Sequence, residues 1–166
     1  MPNLVIRRFA SVVLPLKRFL TLEQCPSGWR GYDLYLFRDD EVVFYVGQSH
    51  IAFERVWEHL RGGFKGRSVV GRFVLCNWPC AMSFIIELMS SKSTHFNAVG
   101  NRLDAAEQLL IEQLLPCFNE AMNSRPTPLP KKYTPPSATV RRPKSLKRMI
   151  SEAGRAMRLE NSRKPW

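Results

Sequence analysis

Between Tyr32 and His59 the spacing of apolar positions changes twice. Tyr32, Leu34 and Leu36 alternate with Asp33, Tyr35 and Phe37, which is the period of two of a β-strand. The polar run Arg38-Asp39-Asp40-Glu41 reads as a turn. Val42 to Val46 is a β-branched and aromatic run of strand length, which Gly47 is expected to end. Phe53, Val56, Trp57 and Leu60 then fall at helical spacing and make one apolar face. Arg55 and His59 are one turn apart on its flank.

Further along, the pattern leaves Val69 to Cys76 open between helix and strand, while Met82 to Met89 reads as a third strand. Ser90 to Gly100 is rich in Ser, Asn and Gly and reads as a loop. Leu103 to Leu115 reads as a helix stopped by Pro116. On the N-terminal side, Leu4-Val5-Ile6 and Val12-Val13-Leu14 have the composition of short strands, and Lys17 to Gln24 that of a helical turn or two. Residues 1–30 are read as an extension packing on a core domain of residues 31–121. The prolines at 126, 128, 130, 135, 136 and 143 mark residues 122–144 as a basic, semi-extended linker. Leu146, Met149, Ile150, Ala153 and Met157 then give residues 145–166 the pattern of a basic amphipathic helix, read as a tether separable from the core. No internal repeat is found.

Charge sharpens this division. The net charge is +11, and residues 122–166 hold twelve lysines and arginines against two glutamates, a net of +10. A basic tail of this kind attracts polyanions, chiefly nucleic acid. No apolar run reaches the roughly 18 residues of a membrane span. Val12-Val13-Leu14 is broken by Pro15 and followed by Lys17 and Arg18, so neither membrane association nor a signal peptide is expected. Cys25, Cys76, Cys80 and Cys117 show no disulfide-framework spacing, and Cys76-x-x-x-Cys80 lacks a second ligand pair. Reduced thiols and a cytoplasmic location are the expectation.

Several residues bear chemistry, each with a plainer alternative. Glu107 shares a helix face with Leu103, Leu110, Ile111 and Leu114, where a carboxylate is costly unless it is paired or on a metal. The alternative is a capping box formed with Asp104. Tyr35 and Tyr45 read by themselves as core aromatics with hydroxyls at a sheet edge, and Arg55 as a solvated helix arginine. His59 has the pKa range for proton transfer. Arg61-Gly62-Gly63-Phe64-Lys65-Gly66-Arg67 is either a flexible helix exit or a loop whose backbone approaches nucleic-acid phosphates, with Arg61, Lys65 and Arg67 supplying charge. It lacks the Gly-Lys-Ser/Thr ending of a nucleotide cradle.

Taken in order, these residues resemble the GIY-YIG nuclease family. Asp33-Leu34-Tyr35, nine residues, and Tyr45-Val46-Gly47 are similar to its signature pair of motifs. Arg55-x-x-x-His59 is similar to the second motif of restriction-type members. Glu107, Pro116 and Asn119 stand at the spacing of the closing motif. The resemblance covers roughly residues 32–119, with one departure: Asp33 stands where the first Gly usually does. It implies an α/β (α+β) fold, a small three-stranded antiparallel sheet flanked by helices in β-β-α-α-β-α order, followed here by the basic C-terminal tail.

The resemblance also implies a metal-dependent endonuclease that hydrolyses DNA phosphodiesters. Its catalytic residues would be Tyr35 for base or water positioning, Tyr45 for substrate positioning, Arg55, His59, Glu107 and Asn119. Glu107 would ligate Mg2+ or another divalent cation, a hard ion suited to one carboxylate, water and phosphate oxygens. Gly47 would let backbone approach substrate. Arg61, Lys65, Arg67, Lys131, Lys132, Arg141, Arg142, Lys147 and Arg148 would contact DNA, with RNA as the other polyanion. One active site cuts one strand, so a double-strand break would need a homodimer or a second event. The rival reading is a non-catalytic nucleic-acid-binding module on the same fold.

Overall fold

A computed structural model of the protein describes residues 12–163. The chain forms a mixed α+β domain around one antiparallel sheet of four strands. Strand β1 is Val12–Pro15 and runs directly into the short helix α1, Leu16–Phe19. Strands β2 (Leu34–Arg38) and β3 (Val43–Gln48) form a hairpin. Helices α2 (Ala52–Phe64) and α3 (Val69–Cys76) follow, then β4 (Ile85–Met89), α4 (Leu103–Leu114) and α5 (Leu146–Arg163). Short 3-10 turns occupy Cys80–Ser83 and Thr94–Val99. From β2 to α4 the order is β-β-α-α-β-α.

The sheet order is β1-β4-β2-β3, so the expectation of three strands is corrected to four. The added strand lies in the segment read as an N-terminal extension. Val12 to Pro15 pair with Leu88 to Ile85 and cover what would otherwise be an open edge of β4. Val12-Val13-Leu14, read from composition as a short strand, is one; what the sequence does not show is its place in the sheet, which a partner some seventy residues away supplies. Leu4-Val5-Ile6 lies outside the described residues.

The period of two sorts the sheet into two cores. Tyr35, Phe37, Ile86 and Leu88 face α2 and α3, while Leu34, Leu36, Val46 and Met89 face α4. A register shift beside Phe37/Arg38 pairs Tyr45 with Phe37 but Val43 with Arg38, leaving Phe44 as the extra residue. Phe44 and Tyr45 therefore both join the core on the α2/α3 side. Gly47 does not end β3, which continues to Gln48. Arg38 and Glu87, both buried, form an ion pair with Nε–Oε1 of 2.6 Å across β2 and β4.

Helix α2 buries the predicted face of Phe53, Val56, Trp57 and Leu60. It also runs through Arg61 to Phe64, so half of the expected glycine-rich loop is helical. The glycines there serve helix packing: a Cβ on Gly63 would lie 2.4 Å from the Gly71 backbone, and one on Gly71 would lie 2.0 Å from the His59 carbonyl oxygen. Two helices can cross this closely only with glycine at the contact. Residues 69–76, open in the sequence, are therefore helix α3, with Ser68 as its cap.

Asp33, the departure from the family pattern, ties two strand ends together. Its carboxylate accepts from the Ser91 backbone N–H at 2.8 Å and from the Ser91 hydroxyl at 2.6 Å. A glycine could do neither.

Residues 115–145 contain no helix or strand, yet they lie along the core. Cys117 and Phe118 donate backbone N–H groups to the Val43 and Phe44 carbonyls on the open side of β3. Tyr133 is buried among Phe44, Phe73 and Phe84, and its hydroxyl donates to Asp39 at 2.6 Å. Asn77 exchanges two hydrogen bonds with the Thr134 backbone. Helix α5 then buries Met149 and Ala153 in the same core as Leu16 and Phe19. Trp78 Nε1 donates to Glu152 at 2.5 Å, and Lys17 pairs with Glu160. The tail is thus docked on α1 and α3. Among the described residues, no helix is long and apolar enough to cross a membrane.

Candidate active site

The site forms where β2, β3 and the middle of α2 meet. Tyr35 and Gly47 are register partners, and the tyrosine ring lies across the glycine. A Cβ at residue 47 would sit 2.2 Å from the Tyr35 hydroxyl oxygen. The ring of Tyr35 is by itself enough to require a glycine here. Tyr35 is buried, and its hydroxyl lies 2.6 Å from His59 Nε2. His59 Nδ1 lies 2.7 Å from Ser68 Oγ, which also accepts the Gly71 backbone N–H at 3.0 Å.

Tyr45 closes the cluster, with its ring 5.3 Å from the His59 ring and 6.2 Å from that of Tyr35. Arg55, one turn before His59, is half-exposed and bonds Glu58 at 2.6 Å. Its guanidinium also lies close enough to Tyr35 to favour the ionised phenol. Glu107 projects from the middle of α4, beside β3. Its Oε1 accepts from Gln48 Nε2 at 3.3 Å. The capping box is not formed: Asp104 accepts from the adjacent Ala105 N–H, and Glu107 is turned to Gln48.

Burial sets the electrostatics. It pushes the Tyr35 phenol well above the ordinary tyrosine range, with Tyr45 adding to the rise and Arg55 opposing it. Tyr45 is raised by burial and then by the Glu107 charge. His59 is lowered to about 4 by burial and by the neighbouring Arg55 charge, so the imidazole is neutral at pH 7. Burial raises Glu107, opposed by the Gln48 amide. Arg55 is raised chiefly by its bond to Glu58.

Asn119 is used at both ends. Its Oδ1 accepts the Val46 N–H at 2.9 Å and its Nδ2 donates to the Val46 carbonyl at 2.8 Å. This replaces a strand partner at the edge of β3, so Asn119 holds the backbone between Tyr45 and Gly47.

Two grooves adjoin the cluster. One, of about 330 Å3, is lined by Arg55, His59, Arg61, Lys65, Arg67 and Ser68. The other, of about 600 Å3, is lined by Tyr45, Glu107, Asn119, Val69, Phe118 and Met122. The expected basic residues of α2 and its exit thus share a groove with Arg55. Lys131, Lys132, Arg141, Arg142, Lys147 and Arg148 are exposed, but none of them lines either groove.

Among the described residues, no three His, Cys, Asp or Glu side chains form a metal-holding group. The relevant donor set is a single carboxylate. Glu107 is half-buried, has no salt bridge among the described residues, and accepts one amide contact; that donor fits a hard cation completed by water and phosphate oxygens. Cys25, Cys76, Cys80 and Cys117 are free thiols, with Cys117 pushed up to about 11 by burial.

Two residues of the cluster escape sequence reading: Ser68 and Gln48. A serine before Val69-Val70 is a helix-cap signal, but its bond to His59 follows only from the crossing of α2 and α3. Compared with protein-family models, curated proteins and solved structures, the chain matches none.

Proposed function

We propose that this protein is a divalent-cation-dependent endonuclease of GIY-YIG type, hydrolysing DNA phosphodiesters at the Tyr35–His59–Glu107 edge of the sheet. The observation that carries this is convergence. Tyr35, Tyr45, Arg55 and His59 come from two strands and a helix to one cluster, and Glu107 on α4 is close enough to raise Tyr45. Solvated or core-filling residues need not meet in this way.

Each side chain has a task in phosphodiester hydrolysis. Arg55 supplies paired donors to phosphate oxygens once it exchanges Glu58 for substrate. Tyr35 takes the proton of the attacking water as phenolate, a form that Arg55 favours and burial opposes. Tyr45 orients the substrate beside it. Glu107 would hold the cation, which when bound supplies charge neutralisation at the phosphate. Arg61, Lys65 and Arg67 supply contacts to flanking phosphates.

The test is supercoiled plasmid incubated with the full chain, with and without magnesium, at two salt concentrations. Nicked circles that need the cation and disappear with Glu107→Gln are expected. Arg55→Ala should lower the rate by roughly a hundredfold, with Arg55→Lys failing to restore it fully. DNA binding without cleavage under any divalent cation would sink the catalytic reading in favour of a binding module.

A further inference from the structure

We propose that the groove between α1 and α5 is a second nucleic-acid site, in which Arg18 and Arg158 hold the phosphodiester backbone of a DNA duplex. The groove has a volume of about 700 Å3, and Arg18, Thr21, Ser151, Gly154, Arg158 and Asn161 are among its lining residues. It shares no lining residue with the two grooves beside Tyr35 and Glu107, and no carboxylate lines it. Both arginines are exposed, and among the described residues neither guanidinium has an ion pair or hydrogen bond. Two unopposed guanidiniums, with the Ser151 hydroxyl and the Asn161 amide beside them, are the donors that a phosphate backbone requires.

The docking of α5 makes this face basic throughout. The helix has two acids, and both are turned to the body of the domain. Glu152 accepts from Trp78 Nε1 at 2.5 Å and from Lys144 Nζ at 2.6 Å, and Glu160 pairs with Lys17. Lys147, Ser151, Gly154 and Arg158 follow at steps of four, three and four, which puts them on one line of the helix, turned from the buried Met149 and Ala153. Arg158 folds back along that line over Gly154, its Nη1 3.4 Å from where a Cβ would stand. Lys147 and Arg155 are exposed beside it. From residue 147 to 158 the line is about 16 Å long, which spans four or five phosphate steps of one strand at ~3.4 Å each. A docked helix holds that row in one register, which a free tether does not.

A basic helix can also serve an anionic lipid surface, but that mode needs its apolar face free to insert. Here the apolar face is spent in the core, where Met149 and Ala153 are buried, and Leu159 is the one large apolar side chain of the helix that is exposed. Charge without an insertable face fits a nucleic-acid backbone. Only the choice of DNA over RNA rests on the nuclease reading.

The test is fluorescence anisotropy of the full chain with a labelled DNA duplex, in EDTA and across a range of salt concentrations. Arg18→Gln/Arg158→Gln should weaken binding about tenfold or more at about 0.1 M salt and flatten the log–log salt slope by about 1.8, two contacts at about 0.9 each. Arg18→Lys/Arg158→Lys, which keeps the charge, should keep most of the slope. Arg141→Gln/Arg142→Gln removes the same charge from the linker and should change the slope far less. Equal losses in the two glutamine variants would mean diffuse tail charge and overturn the site. Tighter arginine-dependent binding to phosphatidylserine vesicles than to the duplex would overturn it as well. A wild type that nicks plasmid but keeps its full salt slope without the two arginines would leave the nuclease reading and remove this site. A slope that needs both arginines, in a protein that cuts nothing, would do the reverse.

Discussion

The Tyr35 side chain occupies the space that any side chain on Gly47 would need, its hydroxyl oxygen 2.2 Å and its ring Cζ 2.3 Å from where a Cβ would stand. This pairing across the β2–β3 ladder orders the candidate site, because the same ring carries the hydroxyl that meets His59. Gly47→Ala should therefore displace Tyr35 and cost about 1–3 kcal/mol of stability, the range for an overpacked core. Tyr35→Phe should not rescue it, because the ring Cζ would still lie 2.3 Å from the new methyl. Urea denaturation of the single and double variants decides this; a Gly47→Ala protein as stable as wild type would mean the ring has somewhere else to go.

His59 makes stability depend on pH in a defined window. Its pKa falls from an ordinary 6.5 to about 4 in the folded state. Between those values the unfolded chain binds a proton that the folded chain does not, so stability falls as pH drops from 6.5 toward 4 and is fully present above 6.5. The loss from this one group is roughly 3 kcal/mol. Urea midpoints measured between pH 4 and 7.5 should show it, and His59→Gln should flatten the curve.

Cleavage should rise with pH across the neutral range. Burial holds Tyr35 as phenol, so the phenolate is a minor species whose fraction grows about tenfold per pH unit. A log-rate slope near one between about pH 6 and 8.5, lost in Tyr35→Phe, is the expected profile. A profile flat across the neutral range with an inflection near pH 4 would point to His59 as the titrating base.

Glu107→Gln should leave the fold intact while abolishing cleavage. The carboxylate makes no cap, and among the described residues its one hydrogen bond is with Gln48, which an amide can retain. Circular dichroism and the denaturation midpoint test the first half, plasmid nicking the second. Loss of the fold would show that the helix needs the carboxylate after all.

Removing residues 122–166 should destabilise the domain, contrary to the separable tether expected from composition. Tyr133, Met149 and Ala153 are core residues, and truncating one large buried side chain costs about 2–5 kcal/mol. Met149→Ala should reproduce part of the effect in the intact chain without altering its charge. A truncated protein that melts at the wild-type midpoint would show that the core closes without the tail.

What the sequence by itself determined is whatever rests on local periodicity. The β2–β3 hairpin, the buried face of α2 and the α4 helix ending before Pro116 all follow from spacing within a dozen residues. The order of Tyr35, Tyr45, Arg55, His59 and Glu107 along the chain was legible too, because motif spacing is a property of one dimension.

Only the tertiary structure decided the rest. β1 joins the sheet because β4 offers it hydrogen bonds, and the proline-rich tail is ordered because Tyr133 and Met149 find a core. Gly63 reads as part of a flexible helix exit in the sequence, but it and Gly71 form the contact at which two helices cross. That crossing brings Ser68 to His59, and the β2–β3 register lays Tyr35 over Gly47. Such contacts join residues whose separation along the chain says nothing of their distance in space, so their energies enter only once the whole sheet has closed.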